Sequence, residues 1–287
     1  MTFKCVAAFL VIITPLFTTG CAVNPLSGQE ELMFYSVEDD FKLGTEVAPQ
    51  LERALGGRID IPELQAYVDR IGQRLARVSH HPEWDYHFIA VDHEMINAMA
   101  LPGGYIFITR GLLEKLGNEA QLASILGHEI THVIARDTMN AISKQQSMNV
   151  LVAAAAVAEG TGRGLYAGML TAQILALSYS RQDESEADNG GLTYMVRCGY
   201  DPNGMIQTME VLQAEQKVRP IEFFSTHPLP ATRLYALHQR IRRRYPETDG
   251  LKIGKEDYED NVLTLLKKHP RPKGRRKPKR PDTVYDR

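Results

Sequence analysis

The five residues His128-Glu129-Ile130-Thr131-His132 constrain this chain more than any other feature. Residues four apart on a helix share one face, about 6 Å apart along the axis. Both imidazoles can therefore bind one metal ion if the segment is helical. Glu129 then stands about 60° round the axis from His132. From there it can reach a water on the metal without being a ligand itself. The flanks favour a helix. Asn118 can cap it, and Gln121 completes a capping-box-like start. Leu122, Ile125, Leu126 and Val133 follow at helical spacing. Only Gly127 interrupts the good helix formers, and its missing side chain reads as space beside the metal.

Two histidines do not close a catalytic zinc site, which usually takes three protein ligands and keeps one position for water. The continuation H-E-x-x-H-x-x-G-x-x-H of a metzincin is absent, since Val133-Ile134-Ala135-Arg136-Asp137 follows. The best acidic stretch for a further ligand is 180–188, reading Ser-Arg-Gln-Asp-Glu-Ser-Glu-Ala-Asp after the apolar run 174–177. On a helix Glu184 and Asp188 share a face. One can bind the metal while the other orients a ligand histidine. Glu186 points elsewhere and reads as solvated.

Taken together, these residues resemble the gluzincin family of CAAX prenyl and HtpX-like proteases, peptidase family M48. H-E-x-x-H is followed by S-R-x-x-E-x-E-A-D at Ser180 to Asp188. The stretch from Asn97 to Leu112 resembles the family's N-A-x-x-x-P-G-G segment, strand and helix start. Cys198-Gly199-Tyr200-Asp201-Pro202 resembles its turn after the glutamate helix, and His227 to Arg233 its H-P-x-x-x-x-R motif. Asn24-Pro25-Leu26-Ser27-Gly28 is similar to the start of its secreted lipoprotein branch of BepA-type proteases. The likeness covers 24–245. It implies one Zn2+ held by His128, His132 and Glu184, with Glu129 as general base. It implies that Asp188 supports a ligand and serves in some members as proton donor. His227 and Arg233 would stand near the substrate oxyanion. In the BepA-like branch the same histidine can instead be a fourth zinc ligand that blocks the water, so both roles stay open for His227. The chain departs from the pattern at Asn189-Gly190-Gly191, where each glycine costs about 1 kcal/mol relative to Ala in a helix interior. Close packing against the zinc helix would account for them.

The resemblance implies an α+β, mainly helical, zincin-like core with a small sheet beside the H-E-x-x-H helix. Helices are expected over 36–55, 62–78, 202–217 and 230–244, and strands over 85–91 and 105–109. Residues 97–108 are the candidate sheet edge on which an extended peptide could pair beside the metal. The apolar run 150–158 is too short for a bilayer span, and the glycines of 160–164 then break it, as in a helical hairpin or a flap.

A chain of 287 residues, 44% apolar, holds one large domain or two small ones. A net charge of −2 argues against a nucleic-acid partner. Lys4 and the apolar stretch from Val6 to Phe17 read as a signal peptide over 1–20. Thr18-Thr19-Gly20-Cys21 resembles a bacterial lipobox, although Thr18 replaces the usual leucine. Lipid on Cys21 would attach the chain to a membrane in the bacterial periplasm. Residues 21–35 then form a lipidated tether, 36–250 the metalloprotease domain, and 251–287 a basic tail expected to be disordered. The tail reads first as solvated; contact of 267–280 with anionic lipid headgroups is the alternative. Cys198 has no mature partner within the chain and reads as a small buried residue. The function this implies is an endopeptidase for unfolded or misassembled envelope proteins. Its rivals are a self-inhibited protease fold acting as chaperone or assembly factor, and a hydrolase of non-peptide bonds.

Overall fold

The computed structural model describes residues 20–148, 176–228 and 231–271. A hairpin of β1 (Cys21–Val23) and β2 (Glu30–Leu32) opens it, followed by α1 (Val37–Ala54) and α2 (Pro62–Arg77). Next come β3 (His87–Val91), β4 (Ala98–Ala100), β5 (Tyr105–Thr109) and the single turn α3 (Arg110–Leu113). Helix α4 (Glu119–Ala135) carries the H-E-x-x-H residues and α5 (Asp137–Met148) follows it. The chain continues through α6 (Arg181–Arg197), α7 (Asn203–Val218), the turn α8 (Phe223–Thr226) and α9 (Ala231–Arg244). It closes with α10 (Lys255–Tyr258), a π-turn (Glu259–Leu263) and α11 (Thr264–Lys268). The fold is α+β and mainly helical, with a small sheet beside α4. No helix among the described residues is long and apolar enough to cross a membrane.

Every residue of α4 is buried. A helix wrapped on all sides lies at the centre of a fold, and this one contacts α2, β4, α6 and α7. Its tightest neighbour is α6. A Cβ on Gly191 would fall 2.8 Å from the His128 amide nitrogen, and one on Gly190 would fall 2.3 Å from Thr131 Oγ1. The two glycines interrupt the propensity of α6 because the zinc-motif helix runs against them. Gly127 belongs to the same contact: its Cβ would fall 3.1 Å from Gly191 Cα. The space it leaves is filled by α6, not reserved beside a metal.

The sheet order is β3-β5-β4, with β3 parallel and β4 antiparallel to β5. Only β4 of the expected edge 97–108 is an edge, because β5 is the central strand with both its neighbours paired. The free side of β3 is covered by Gln65, whose amide bonds both the N–H and the C=O of Ala90. That closes one edge to pairing.

Both ends of the expected domain shift. Residues 21–35 do not dangle as a tether. Asn24 is buried, donating to Glu31 and Glu186, and Met33 packs against Met139 and Ile142. Glu186 is thus half-buried and bonded rather than solvated. At the other end, 251–268 is folded. Tyr258, Val262 and Leu266 join the main core, and the carbonyls of Ile253 and Gly254 accept from the first amides of α4. The basic composition of the tail hid an apolar residue at every fourth position. The remainder of 267–280 beyond Arg271, and the runs 150–158 and 160–164, lie outside the described residues.

Candidate metal centre

Helix α4 presents His128 and His132 one turn apart, both buried, with Glu129 fully enclosed between them. Helix α6 begins with a capping box, Ser180 accepting from the Asp183 amide and Asp183 accepting from that of Ser180. This start sets the rotation of α6, so that Glu184 and Asp188 both face α4. His227 follows α8, with its ring stacked on Phe223. His128, His132, Glu184 and His227 each place one donor atom within 4.8 Å of the other three.

The separations fit a tetrahedral metal. Ligands bound to zinc at about 2.0–2.1 Å stand about 3.3 Å from one another. Here His132 Nε2 lies 3.1 Å from His128 Nε2, and His128 Nε2 lies 3.3 Å from His227 Nδ1. Glu184 oxygens stand 3.5 Å from His132 Nε2, 3.6 Å from His128 Nε2 and 2.8 Å from His227 Nδ1. The proton inventory points the same way. His132 Nδ1 is 2.6 Å from Asp137 Oδ2, and His128 Nδ1 is 3.2 Å from Asp188 Oδ1. In the neutral tautomers that ligate a cation, with the proton on each Nδ1 beside these carboxylates, both Nε2 lone pairs would face one buried space. A cation between them resolves that opposition. Neither oxygen of the buried Glu129 has a hydrogen-bond partner among the described residues. The residues present therefore fit zinc.

Electrostatics follow the packing. Burial pushes the Glu129 carboxyl above its ordinary range. Burial would do the same to Glu184, but the charge of His227 and hydrogen bonds from His132 and His227 hold it well below. Burial alone would lower His132; its hydrogen bonds to Asp137 and Glu184 instead lift it to about 10.

Arg233 is placed differently from the oxyanion position expected of it. Its Nε and Nη2 each lie 2.7 Å from a different oxygen of Asp188, and its Nη1 pairs with Glu184. The guanidinium is buried behind these carboxylates. His227 stands among the donor atoms, with its Nε2 3.5 Å from Glu129 Oε1.

Two members of the site escaped the sequence reading. Asp137 reaches back to His132 because Arg136 turns the chain with a left-handed φ of 59°. Arg136 is held in that conformation by both oxygens of Asp40, at 2.6 and 2.8 Å, and by the carbonyl of Tyr35. No periodicity announces a non-glycine left-handed turn. Tyr179 stacks on His132 with ring centroids 3.9 Å apart and donates its amide to the carbonyl of Thr226, one residue before His227. Its position just before the Ser180 cap was the only available signal.

Comparison with known proteins identifies the family. The model of Peptidase family M48 matches residues 62–241. The chain is 31% identical over 252 residues to the beta-barrel assembly-enhancing protease of Escherichia coli K12, covering 82% of this chain and 50% of that protein. The protein of the same name in Yersinia pestis is 30% identical over 223 residues, 74% of this chain and 46% of the relative. The mitochondrial metalloendopeptidase OMA1 of Schizosaccharomyces pombe is 27% identical over 220 residues, 75% and 65% of the two chains. The chain spans about half the length of the bacterial relatives it matches.

Proposed function

This chain belongs to peptidase family M48, and from that membership we propose that it is a zinc-dependent endopeptidase for unfolded or misassembled envelope proteins. In this reading His128, His132 and Glu184 are the zinc ligands. The observation that carries it is the convergence of their donor atoms beside a buried Glu129. Bound there, zinc supplies Lewis acidity and lowers the pKa of a water to about 7. Glu129 accepts the proton of the attacking water and returns it to the leaving amine; the burial that raises its pKa suits it to hold that proton. Asp188 fixes the ring of His128, and Arg233 fixes Asp188. Proton donation by Asp188, or oxyanion contact by Arg233, would require that pair to open.

His227 motivates a second reading. Its Nδ1 stands 2.8 Å from Glu184 Oε1 and 3.3 Å from His128 Nε2. As a fourth ligand it would take the place of the water and leave a self-blocked protease fold, acting as a chaperone or assembly factor until it is displaced. The name of the bacterial relatives, beta-barrel assembly-enhancing protease, supports substrates of the envelope. Cys21 is exposed at the start of β1, where a lipid would attach the domain to the outer membrane from the periplasmic side.

The test is cleavage of unfolded casein by the full chain, compared with Glu129→Gln and His227→Ala, with zinc measured in all three. Cleavage lost in Glu129→Gln with zinc retained is the expected result. Cleavage that appears only in His227→Ala favours the self-blocked form. Full zinc occupancy with no cleavage in any form removes general proteolysis.

A further inference from the structure

A cavity of about 170 Å³ shares Glu184, Asp188 and Arg233 with the metal centre and is also lined by Arg181, Ser185 and Arg240. Arg181, Ser185 and Asp188 lie on one face of α6 by helical spacing, and Arg233 and Arg240 on one face of α9. Two helices thus bring three guanidinium groups to one hollow. The carboxylates there are already engaged, since Asp188 and Glu184 both pair with Arg233. Arg240 is half-buried, and its side-chain hydrogen bond among the described residues goes to Ser185 Oγ at 3.5 Å. Burial lowers its pKa, Asp188 opposes that shift, and Arg244 and Arg243 add to it. Arg181 is exposed at the rim and forms no ion pair among the described residues.

Arg181 and Arg240, the latter beside the Ser185 hydroxyl, line this hollow with Glu184 and Asp188, whose charges Arg233 already engages, and together can receive a carboxylate. Guanidinium groups bind that ligand through paired, charge-assisted N–H donors. The volume suits a carboxylate and accompanying water, at about 30 Å³ per water. We propose that this cavity is a substrate subsite that takes a carboxylate of the bound peptide, held by Arg181 and Arg240. The proposal rests on the endopeptidase reading of the metal centre. The carboxylate can come from a glutamate or aspartate side chain, or from the end of a peptide chain.

The experiment separates these sources and does not depend on turnover. Zinc-loaded full-length Glu129→Gln is titrated with three fluorescent peptides of one unfolded sequence. One carries glutamates and an amidated end, the second has glutamine at those positions and an amidated end, and the third has glutamine and a free end. The glutamate peptide is expected to bind about fivefold to tenfold tighter than the amidated glutamine peptide. Adding Arg181→Gln or Arg240→Gln should remove that preference. Arg240→Lys should keep part of it, and Arg242→Gln, on the same helix but outside the cavity, should keep all of it. Tighter binding of the third peptide alone would assign the terminal carboxylate as ligand. Equal binding of all three peptides overturns the proposal. So does equal loss in Arg242→Gln, which would mean diffuse attraction to α9. Casein cleavage by the parent chain is scored in parallel. If discrimination persists without cleavage, the endopeptidase reading fails and the anion site stands; cleavage without discrimination has the opposite meaning.

Discussion

Each histidine of the zinc motif has its own carboxylate, and the two are held by different means. Asp188 is oriented by Arg233, while Asp137 is aimed by the turn at Arg136. Replacing Asp137 by Ala should weaken zinc binding about 10–100-fold, because such partners set the ring tautomer and its basicity. Competition with a chromophoric chelator measures this, and unchanged affinity would mean that packing by Tyr179 alone holds His132. Replacing Arg233 by Ala leaves two buried carboxylates without their shared cation. That should cost about 3–5 kcal/mol of stability, read as a shift in denaturation midpoint. Glu129→Gln should instead leave zinc and stability nearly unchanged and reduce casein cleavage about 100-fold or more. His128, Glu129 and His132 stand out in the sequence because a helix fixes the spacing of its own side chains; that spacing left Glu184 and Asp188 as alternatives, and only the resemblance to a family singled out Glu184. Asp137 was not legible there, because its approach to His132 depends on a backbone conformation secured by Asp40, far away in the chain.

At the scale of elements, the contact between α4 and α6 governs the site, since it sets the height of Glu184 against the histidines. Gly191→Ala tests it with opposing terms. Alanine gains about 1 kcal/mol of helix propensity. Its Cβ would press on the His128 backbone at 2.8 Å and on Gly127 at 3.1 Å, where no flexible side chain can yield. Overpacking of this kind costs about 1–3 kcal/mol, so the variant should melt earlier and bind zinc less well. A higher melting temperature with full zinc would show that the two helices can separate at little cost. The sheet teaches a related lesson. Both strands were readable from their β-branched and aromatic residues, but not their order. Which strand is central depends on pairings between distant segments, so β5 could be taken for an edge until its neighbours were seen.

Across the whole molecule, residues 251–268 are part of the fold. Glu119, at the start of α4, accepts from Tyr67, Tyr200 and Lys252, while the carbonyls of Ile253 and Gly254 bond the first amides of the same helix. Tyr258→Ala should therefore destabilise the protein by about 3–5 kcal/mol through the cavity it leaves. A change within error in chemical denaturation would return this segment to the status of a solvated tail. The sequence by itself determined the helix that carries the zinc motif and, through its resemblance to a family, the α+β class and the ligand candidates. The helix follows from local properties: periodicity, capping and the chemistry of particular side chains at fixed helical offsets. Tertiary structure alone decided that Arg233 pairs with Asp188, that His227 stands among the donors, and that residues 21–35 and 251–268 pack on the rest of the fold. Those arrangements depend on which buried charges find partners across elements distant in the chain, where no local spacing rule applies.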